Sequence, residues 1–339
     1  MRAFINSALD ITAVPAPSGD AGVFHRTLSG YAPTPVHQLD PIASELGVAA
    51  VQVKDESCRL GLPAFKILGA SWAVERALRE DPAAQTLVAA SAGNHGRAVA
   101  HAAALRGLSC RVYLPERSLA VRRAAIAAEG AEVIVVDGTY EDAVEAAARA
   151  ADEIGSALIA DVGDTGPAEW VIDGYATLFA EAAEQATYDL ILVPVGVGSL
   201  AAAAARHGAQ VGASVIGVEP DTAACLGASL ARGVPTRVPT PGTAMAGLDC
   251  ADVSPAAWPS LRRGIAGTIT VSDEEADLAV RTLSANGLTI GESGAAPLAA
   301  LLALTNDQQC RALRKHLEIN PQTRVLLIAT EGTTGEQAR

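Results

Sequence analysis

The sequence predicts an α/β protein built on mainly parallel sheets, and three observations carry that expectation. Short apolar runs of strand length alternate with longer segments of helical periodicity along most of the chain. One run, Leu190 to Val195, is continuous and apolar, as a strand covered on both faces requires. Several runs end in small-residue turns that lead straight into a helix, the arrangement that places ligands at the carboxyl ends of parallel strands.

Taken in order, residues 1 to 30 show little periodicity and read as an irregular arm with one short helix. Val48 to Lys54 reads as a strand and Ala64 to Arg79 as a helix with apolar residues at helical spacing. The strand Gln85 to Ala90 is followed by the helix Gly93 to Leu105, and Arg111 to Leu114 by Ala120 to Glu129. Val133 to Asp137 is followed by Tyr140 to Ile154, and Ser156 to Ala160 closes this section. After Leu190 to Val195 come the helix Ser199 to Arg206, the strand Ser214 to Val218 and a last strand, Arg324 to Ala329. The stretch Gly233 to Cys250 is rich in Pro, Gly and Thr and reads as a loop shaping a cleft.

The chain of 339 residues is long enough for one large domain or two cooperating ones. Half of it is apolar and 19% is charged, the balance of a soluble globular protein. A formal net charge of -13 repels a phosphate backbone, so nucleic acid is not expected as a partner. It does not exclude a small phosphate, which backbone N–H groups can hold. Five cysteines, an odd number at wide spacing with no CxxC, predict neither a disulfide framework nor a zinc site and point to a reducing cytoplasm. Cys110 and Cys225 read as small buried hydrophobes, while Cys58 lies close to Lys66. The start, MRAFINSALD, lacks the basic flank and apolar stretch of a signal peptide. Runs such as Ala201 to Ala205 are too short to span a bilayer, so no membrane partner is expected.

Six places can carry chemistry. Lys66, in GLPAFKILGASW, sits beside Phe65 and Ile67 in a stretch otherwise free of charge. Partial desolvation there lowers an amine's pKa and makes it nucleophilic, as Schiff-base formation requires; taken alone, the same residues favour a lysine snorkelling from a helix face. SAGNHG, Ser91 to Gly96, joins a strand to a helix, with Asn94 either a donor to a ligand oxygen or a local turn residue. GVGSL, Gly196 to Leu200, follows the buried strand and opens a helix, where close backbone approach and the helix N-terminus suit a lone phosphate. Thr330, after the last strand, offers a hydroxyl or an ordinary turn. Glu292 in GESGAA is either a helix-terminal charge or a site group. Asp161 ends LIAD as an acid or base, or as a turn residue.

In combination and in this order, the motifs resemble the tryptophan-synthase-like, fold type II pyridoxal phosphate enzymes, and within them the diaminopropionate ammonia-lyase family. The match runs from Tyr31 to Gly335. It rests on VKDESCRLGLPAFKILG (Val53 to Gly69), VGVGSL (Val195 to Leu200), VEPDTAACL (Val218 to Leu226), MAGLDC (Met245 to Cys250), VSDEEA (Val271 to Ala276), GESGAA (Gly291 to Ala296) and ATEGTTG (Ala329 to Gly335). The resemblance implies two three-layer α/β domains with mainly parallel sheets and pyridoxal 5'-phosphate between them. Residues 1–66 with 161–339 would form the large cofactor-binding domain. Residues 67–160 would form a smaller inserted domain that closes over the site. Lys66 would be the Schiff-base lysine, flanked by Phe65. Asn94 would hold the cofactor's phenolic oxygen, and the amides of Gly196, Val197, Gly198, Ser199 and Leu200 its phosphate. Thr330 would meet the pyridine nitrogen and Glu292 would join the cofactor site. A neutral hydroxyl at that nitrogen weakens the ring as an electron sink and favours β-elimination.

The resemblance further implies a small amino-acid substrate, a homodimer and a catalytic role for Asp161, the family acid associated with the L-substrate. One departure is informative. The family's Asn loop has the form TDGNHG, with an acid associated with the D-substrate; here Ala92 stands at that position, and SAGNHG is more like the loop of threonine and serine dehydratases. The WPGYEE-like stretch after Asp161 is also shortened, to VGDTGPAEW. The expected reaction is therefore α,β-elimination from a small β-substituted amino acid such as 2,3-diaminopropionate, giving a 2-oxo acid and ammonia. A serine/threonine-type dehydratase, a β-replacement synthase, and a member that binds cofactor without catalysis are the alternatives.

Overall fold

The computed structural model describes residues 2–17, 20–164 and 166–333. Thr334 and Gly335 of ATEGTTG, Thr165 of VGDTGPAEW, and Met1, Ser18 and Gly19 of the expected arm lie outside the described residues. The chain divides into two compact units, Met1–Phe65 with Ala176–Arg339, and Lys66–Tyr175. The sequence reading divides it after residues 66 and 160. The second division falls later because the helix Pro167–Gln185 runs through it: Gly174 packs on the backbone of Leu68 in one unit, while Glu181 pairs with Lys54 and Arg59 in the other.

The strands are β1 (Ala3–Ile5), β2 (Val36–Gln38), β3 (Ala50–Asp55), β4 (Thr86–Ala90), β5 (Ser109–Pro115), β6 (Glu132–Val136), β7 (Ser156–Leu158), β8 (Leu190–Pro194), β9 (Ser214–Pro220), β10 (Gly267–Val271) and β11 (Arg324–Ala329). Among the described residues the first unit holds one sheet in the order β1-β10-β9-β8-β11-β3-β2. Its five inner strands pair in parallel. The two edges, β1 and β2, are antiparallel. The expected irregular arm therefore begins with an edge strand, Ala3 to Ile5, registered on Ile269 to Gly267, followed by a short helix, Ala21–His25.

β8 is buried at every position, as its unbroken apolar run requires. Leu192, Val325 and Leu327 from the sheet and Ala295, Leu298 and Leu301 from the helix Glu292–Asn306 share one core cluster. The strand register sets Leu192 beside Leu327. The turn after β8 and Thr330 after β11 thus leave neighbouring parallel strands at the same end.

The second unit is a parallel sheet, β6-β5-β4-β7. Its helices include Lys66–Glu80, Asn94–Arg106, Ala120–Ala128 and Tyr140–Ala151. The last begins with a reciprocal cap: Asp142 donates its N–H to the Thr139 hydroxyl oxygen and its carboxylate accepts the Thr139 N–H. Val88 of β4 pairs with Leu158 of β7, so the loops after them, carrying Asn94 and Asp161, also emerge side by side. In both units, then, candidate residues lie just past carboxyl ends of strands: Asn94 and Asp161 in one, Gly196 to Leu200 and Thr330 in the other.

Candidate active site

In the second unit, Lys66 opens its helix and Asp161 lies just past β7. The Lys66 amine donates to Asp161 Oδ2 at 3.0 Å, joining residues far apart in the chain. Both side chains are mostly buried, at 22% and 14% exposure. His95, buried at the start of the Asn94 helix, faces the same carboxylate through Nδ1 at 3.8 Å. Its Nε2 lies 2.9 Å from the Ile159 carbonyl oxygen, which fixes a proton on that nitrogen and leaves Nδ1 facing Asp161. Burial pushes the Asp161 carboxyl upward, but His95 and the Lys66 ammonium outweigh it and bring its pKa down to about 2. Burial lowers the His95 pKa, Asp161 opposing. The result is an ionised carboxylate gripping an amine, with the imidazole behind it.

In the first unit the turn after β8 is built for close approach. A Cβ at Gly196 would stand 2.8 Å from the Gly247 carbonyl oxygen and 3.1 Å from Cys250 Sγ. Gly198 has a φ of 93°, which a side chain disfavours, and passes the chain directly into the helix Ser199–Val211. The Ser254 N–H donates to the Val197 carbonyl at 2.7 Å, and the Cys225 thiol to the Gly196 carbonyl at 3.5 Å. These bonds engage two carbonyls of the turn, and the amides of Gly196 to Leu200 lie at the start of the helix. The loop that includes MAGLDC links this turn to the other end of the group: the Gly247 N–H donates to Ser293 Oγ at 3.2 Å.

Thr330 and Glu292 belong to the same unit and are brought together with Phe65. The Phe65 N–H donates to the Thr330 carbonyl at 3.2 Å, Ala64 bridges Glu331, and the Gly291 N–H donates to the Glu331 carbonyl at 3.0 Å. The residue preceding Lys66 is thereby tied by its backbone to the threonine predicted to meet the ring nitrogen. Thr330 is 5% exposed, and Glu292 is the half-buried first residue of its helix. Cys110 and Cys225 are buried, as read; Cys58 is exposed.

The donor types are those pyridoxal phosphate would require: an amine and a carboxamide in the second unit, helix-start amides and a neutral hydroxyl in the first. Two residues absent from the sequence reading of the site join it. His95 reads in sequence only as part of a helix start. Tyr175 falls in a stretch where no element was expected; it is fully buried, and the charges acting on its hydroxyl are those of Lys66 and Asp161.

The family model described as pyridoxal-phosphate dependent enzyme matches residues 27–331. The chain is 36% identical to the diaminopropionate ammonia-lyase of Escherichia coli (strain K12), over 92% of this chain and 87% of that protein. It is 33% identical to an L-threonine ammonia-lyase of Geobacter sulfurreducens, over 70% of this chain and 59% of that protein. Among solved structures, the Escherichia coli diaminopropionate ammonia lyase in complex with an aminoacrylate-PLP azomethine reaction intermediate has a TM-score of 0.89 at 34% identity, covering 98% of this chain and 94% of that one. The same enzyme in complex with D-serine matches at a TM-score of 0.89 and 33% identity, with the same coverage.

Proposed function

Because the chain belongs to the pyridoxal-phosphate dependent enzymes, we propose that it is an ammonia-lyase acting by α,β-elimination on a small β-substituted L-amino acid, with 2,3-diaminopropionate as the first substrate to test. The 3.0 Å contact between the Lys66 amine and Asp161 carries this reading. Lys66 would attach the cofactor, with Phe65 beside it. Asn94 would hold its phenolic oxygen, the amides of Gly196, Val197, Gly198, Ser199 and Leu200 its phosphate, and Thr330 its ring nitrogen. Glu292 would serve as a nearby acidic group of the same site. When bound, pyridoxal phosphate supplies the electron-withdrawing system that makes the α-proton of an amino acid removable.

Asp161 is suited to receive that proton. Its carboxyl stays ionised at working pH because His95 and Lys66 oppose the effect of burial. Lys66 Nζ, within reach of Oδ2, would pass a proton to the departing β-amine. With 2,3-diaminopropionate and one water the balance closes on pyruvate and two ammonia molecules. Position 92 carries a methyl group, so Asp161 and Lys66 are the bases proposed, and one configuration of substrate is preferred. A dehydratase acting on serine or threonine is the second reading, favoured by Ala92 and the SAGNHG loop. The five cysteines, without a disulfide among the described residues, and the family's usual assembly support a cytoplasmic homodimer as part of the proposal. No helix among the described residues is long and apolar enough to cross a membrane.

The test is an ammonia and 2-oxo-acid assay over diaminopropionate, serine and threonine in both configurations, with Lys66→Ala as control. Expected are turnover of L-diaminopropionate well above its D-isomer, and loss of the visible cofactor band in the variant. Equal use of both isomers would overturn the single-face assignment. Turnover of the hydroxy amino acids alone would move the chain to the dehydratases, and substituted amino acids in place of 2-oxo acid when nucleophiles are added would make it a synthase. An unchanged band and full activity in Lys66→Ala would refute the lysine's role.

A further inference from the structure

Tyr175 occupies a position where a phenylalanine would satisfy packing alone. It is 0% exposed, and Gly69, three residues beyond Lys66 on the same helix face, makes room for it. A Cβ at Gly69 would lie 2.6 Å from Tyr175 Cε1 and 2.8 Å from Cζ. One residue earlier, a Cβ at Gly174 would lie 2.6 Å from the Leu68 carbonyl oxygen. The two helices therefore meet backbone to backbone, and the ring is seated by the end that bears its hydroxyl. Burying a hydroxyl is unfavourable unless it gains an interaction in return. The groups acting on this one are the Lys66 amine and the Asp161 carboxylate. Burial pushes the phenol up to about 12, with Lys66 opposing, so the hydroxyl keeps its proton and serves as a neutral partner.

We infer that the Tyr175 hydroxyl is a positioning group for the Lys66 amine, holding it against Asp161 in one rotamer whenever the amine is not bonded to the cofactor. The inference rests on the proposed role of Lys66 and extends it to a residue outside the cofactor-binding set. A long lysine chain loses much rotamer freedom when fixed. A hydroxyl and a carboxylate acting together hold it before each attachment rather than during it. Gly69 is part of the device, because only a residue without a side chain lets the phenol approach the lysine's own helix.

The test uses the full-length apo-protein and reads cofactor loading without substrate, so it stands or falls separately from the elimination reaction. Tyr175→Phe keeps the ring on Gly69 and removes the oxygen. Its melting temperature is expected to stay close to that of the parent, while the rate at which the visible cofactor band appears falls about tenfold. In turnover, kcat falls about tenfold with KM nearly constant, because the lost contact orients a reacting group and does not bind substrate. Gly69→Ala, which displaces the ring but keeps the oxygen, is expected to slow loading as well, and to add little in the Tyr175→Phe background. Loading within twofold of the parent in Tyr175→Phe would overturn the inference. So would losses that simply multiply in the double variant, or a Tyr175→Phe apo-protein that no longer folds, since each makes the hydroxyl a matter of packing alone.

Discussion

At the scale of single residues, the charge state of Asp161 is the property with the clearest consequence. In the apo-protein its pKa is about 2 against an ordinary 3.8, since the Lys66 ammonium and His95 more than offset burial. A carboxyl depressed on folding adds stability that is complete above its unfolded value and disappears as pH falls through the folded one. The loss between about pH 5 and pH 3 amounts to about 1 kcal/mol from this group. Asp161→Asn should lack that increment, so urea midpoints of parent and variant apo-protein should converge on acidification; midpoints moving in parallel would place the stabilising charge elsewhere. The sequence made Lys66, Asn94 and Asp161 visible as residue types at strand–helix junctions, but not that Lys66 and Asp161 touch. No local pattern encodes a contact between residues 95 positions apart. His95 escaped notice for the same reason: its meaning depends on the Ile159 carbonyl, which fixes a proton on Nε2 through space.

At the scale of elements, the junction between β9 and the helix Cys225–Arg232 supports the glycine turn from below. The Glu219 carboxylate accepts the N–H groups of Leu226 at 2.6 Å and Gly227 at 2.9 Å, and Cys225 on the same helix reaches the Gly196 carbonyl. Burial raises the Glu219 pKa to about 7, with these amides opposing. A carboxyl raised on folding favours the native state below its unfolded value, and that advantage is lost as pH climbs through the folded one. Between about pH 5 and pH 8 the protein should lose about 2 kcal/mol through this group. Glu219→Gln should flatten that dependence in urea unfolding; an equally steep fall in the variant would assign it to other groups. Strands with unbroken apolar runs were readable, and Arg324 to Ala329 is found at the residues expected. β10 and the helix Pro167–Gln185 were not anticipated. β10 has only five residues, all buried, with threonines within its apolar set, and the helix is apolar around much of its circumference, so neither shows a clean period.

At the scale of the whole molecule, the first unit is assembled from two separated stretches of chain, and a buried ionic group fastens them. Lys54, Glu56 and Arg59 come from the first stretch and Glu181 from the second; all four are at most 4% exposed. Glu181 accepts from Lys54 at 2.8 Å, from Arg59 at 2.7 and 2.8 Å, and from the Tyr31 hydroxyl at 2.7 Å. Arg59 also donates to both oxygens of Glu56. Two cations and two anions leave the interior neutral. Composition could not announce this arrangement, because only the fold brings Glu181 to residues more than 120 positions earlier in the chain. Removing one partner strands a charge away from water, which costs about 3–5 kcal/mol. Glu181→Gln should therefore lower the unfolding free energy by that order, as the pair Lys54 and Arg59 then faces one carboxylate. Adding Lys54→Met restores neutrality and should recover part of the loss, so the double variant should be more stable than Glu181→Gln alone. If the second change instead adds its own full cost, the group acts through individual hydrogen bonds and not through its balance of charge. The fastening also bears on the site: Arg59 and Glu56 begin the segment that ends at Phe65, whose N–H is bonded to Thr330. Loosening the ionic group should consequently weaken cofactor retention before it abolishes folding, seen as release of the visible band at urea concentrations below the unfolding midpoint.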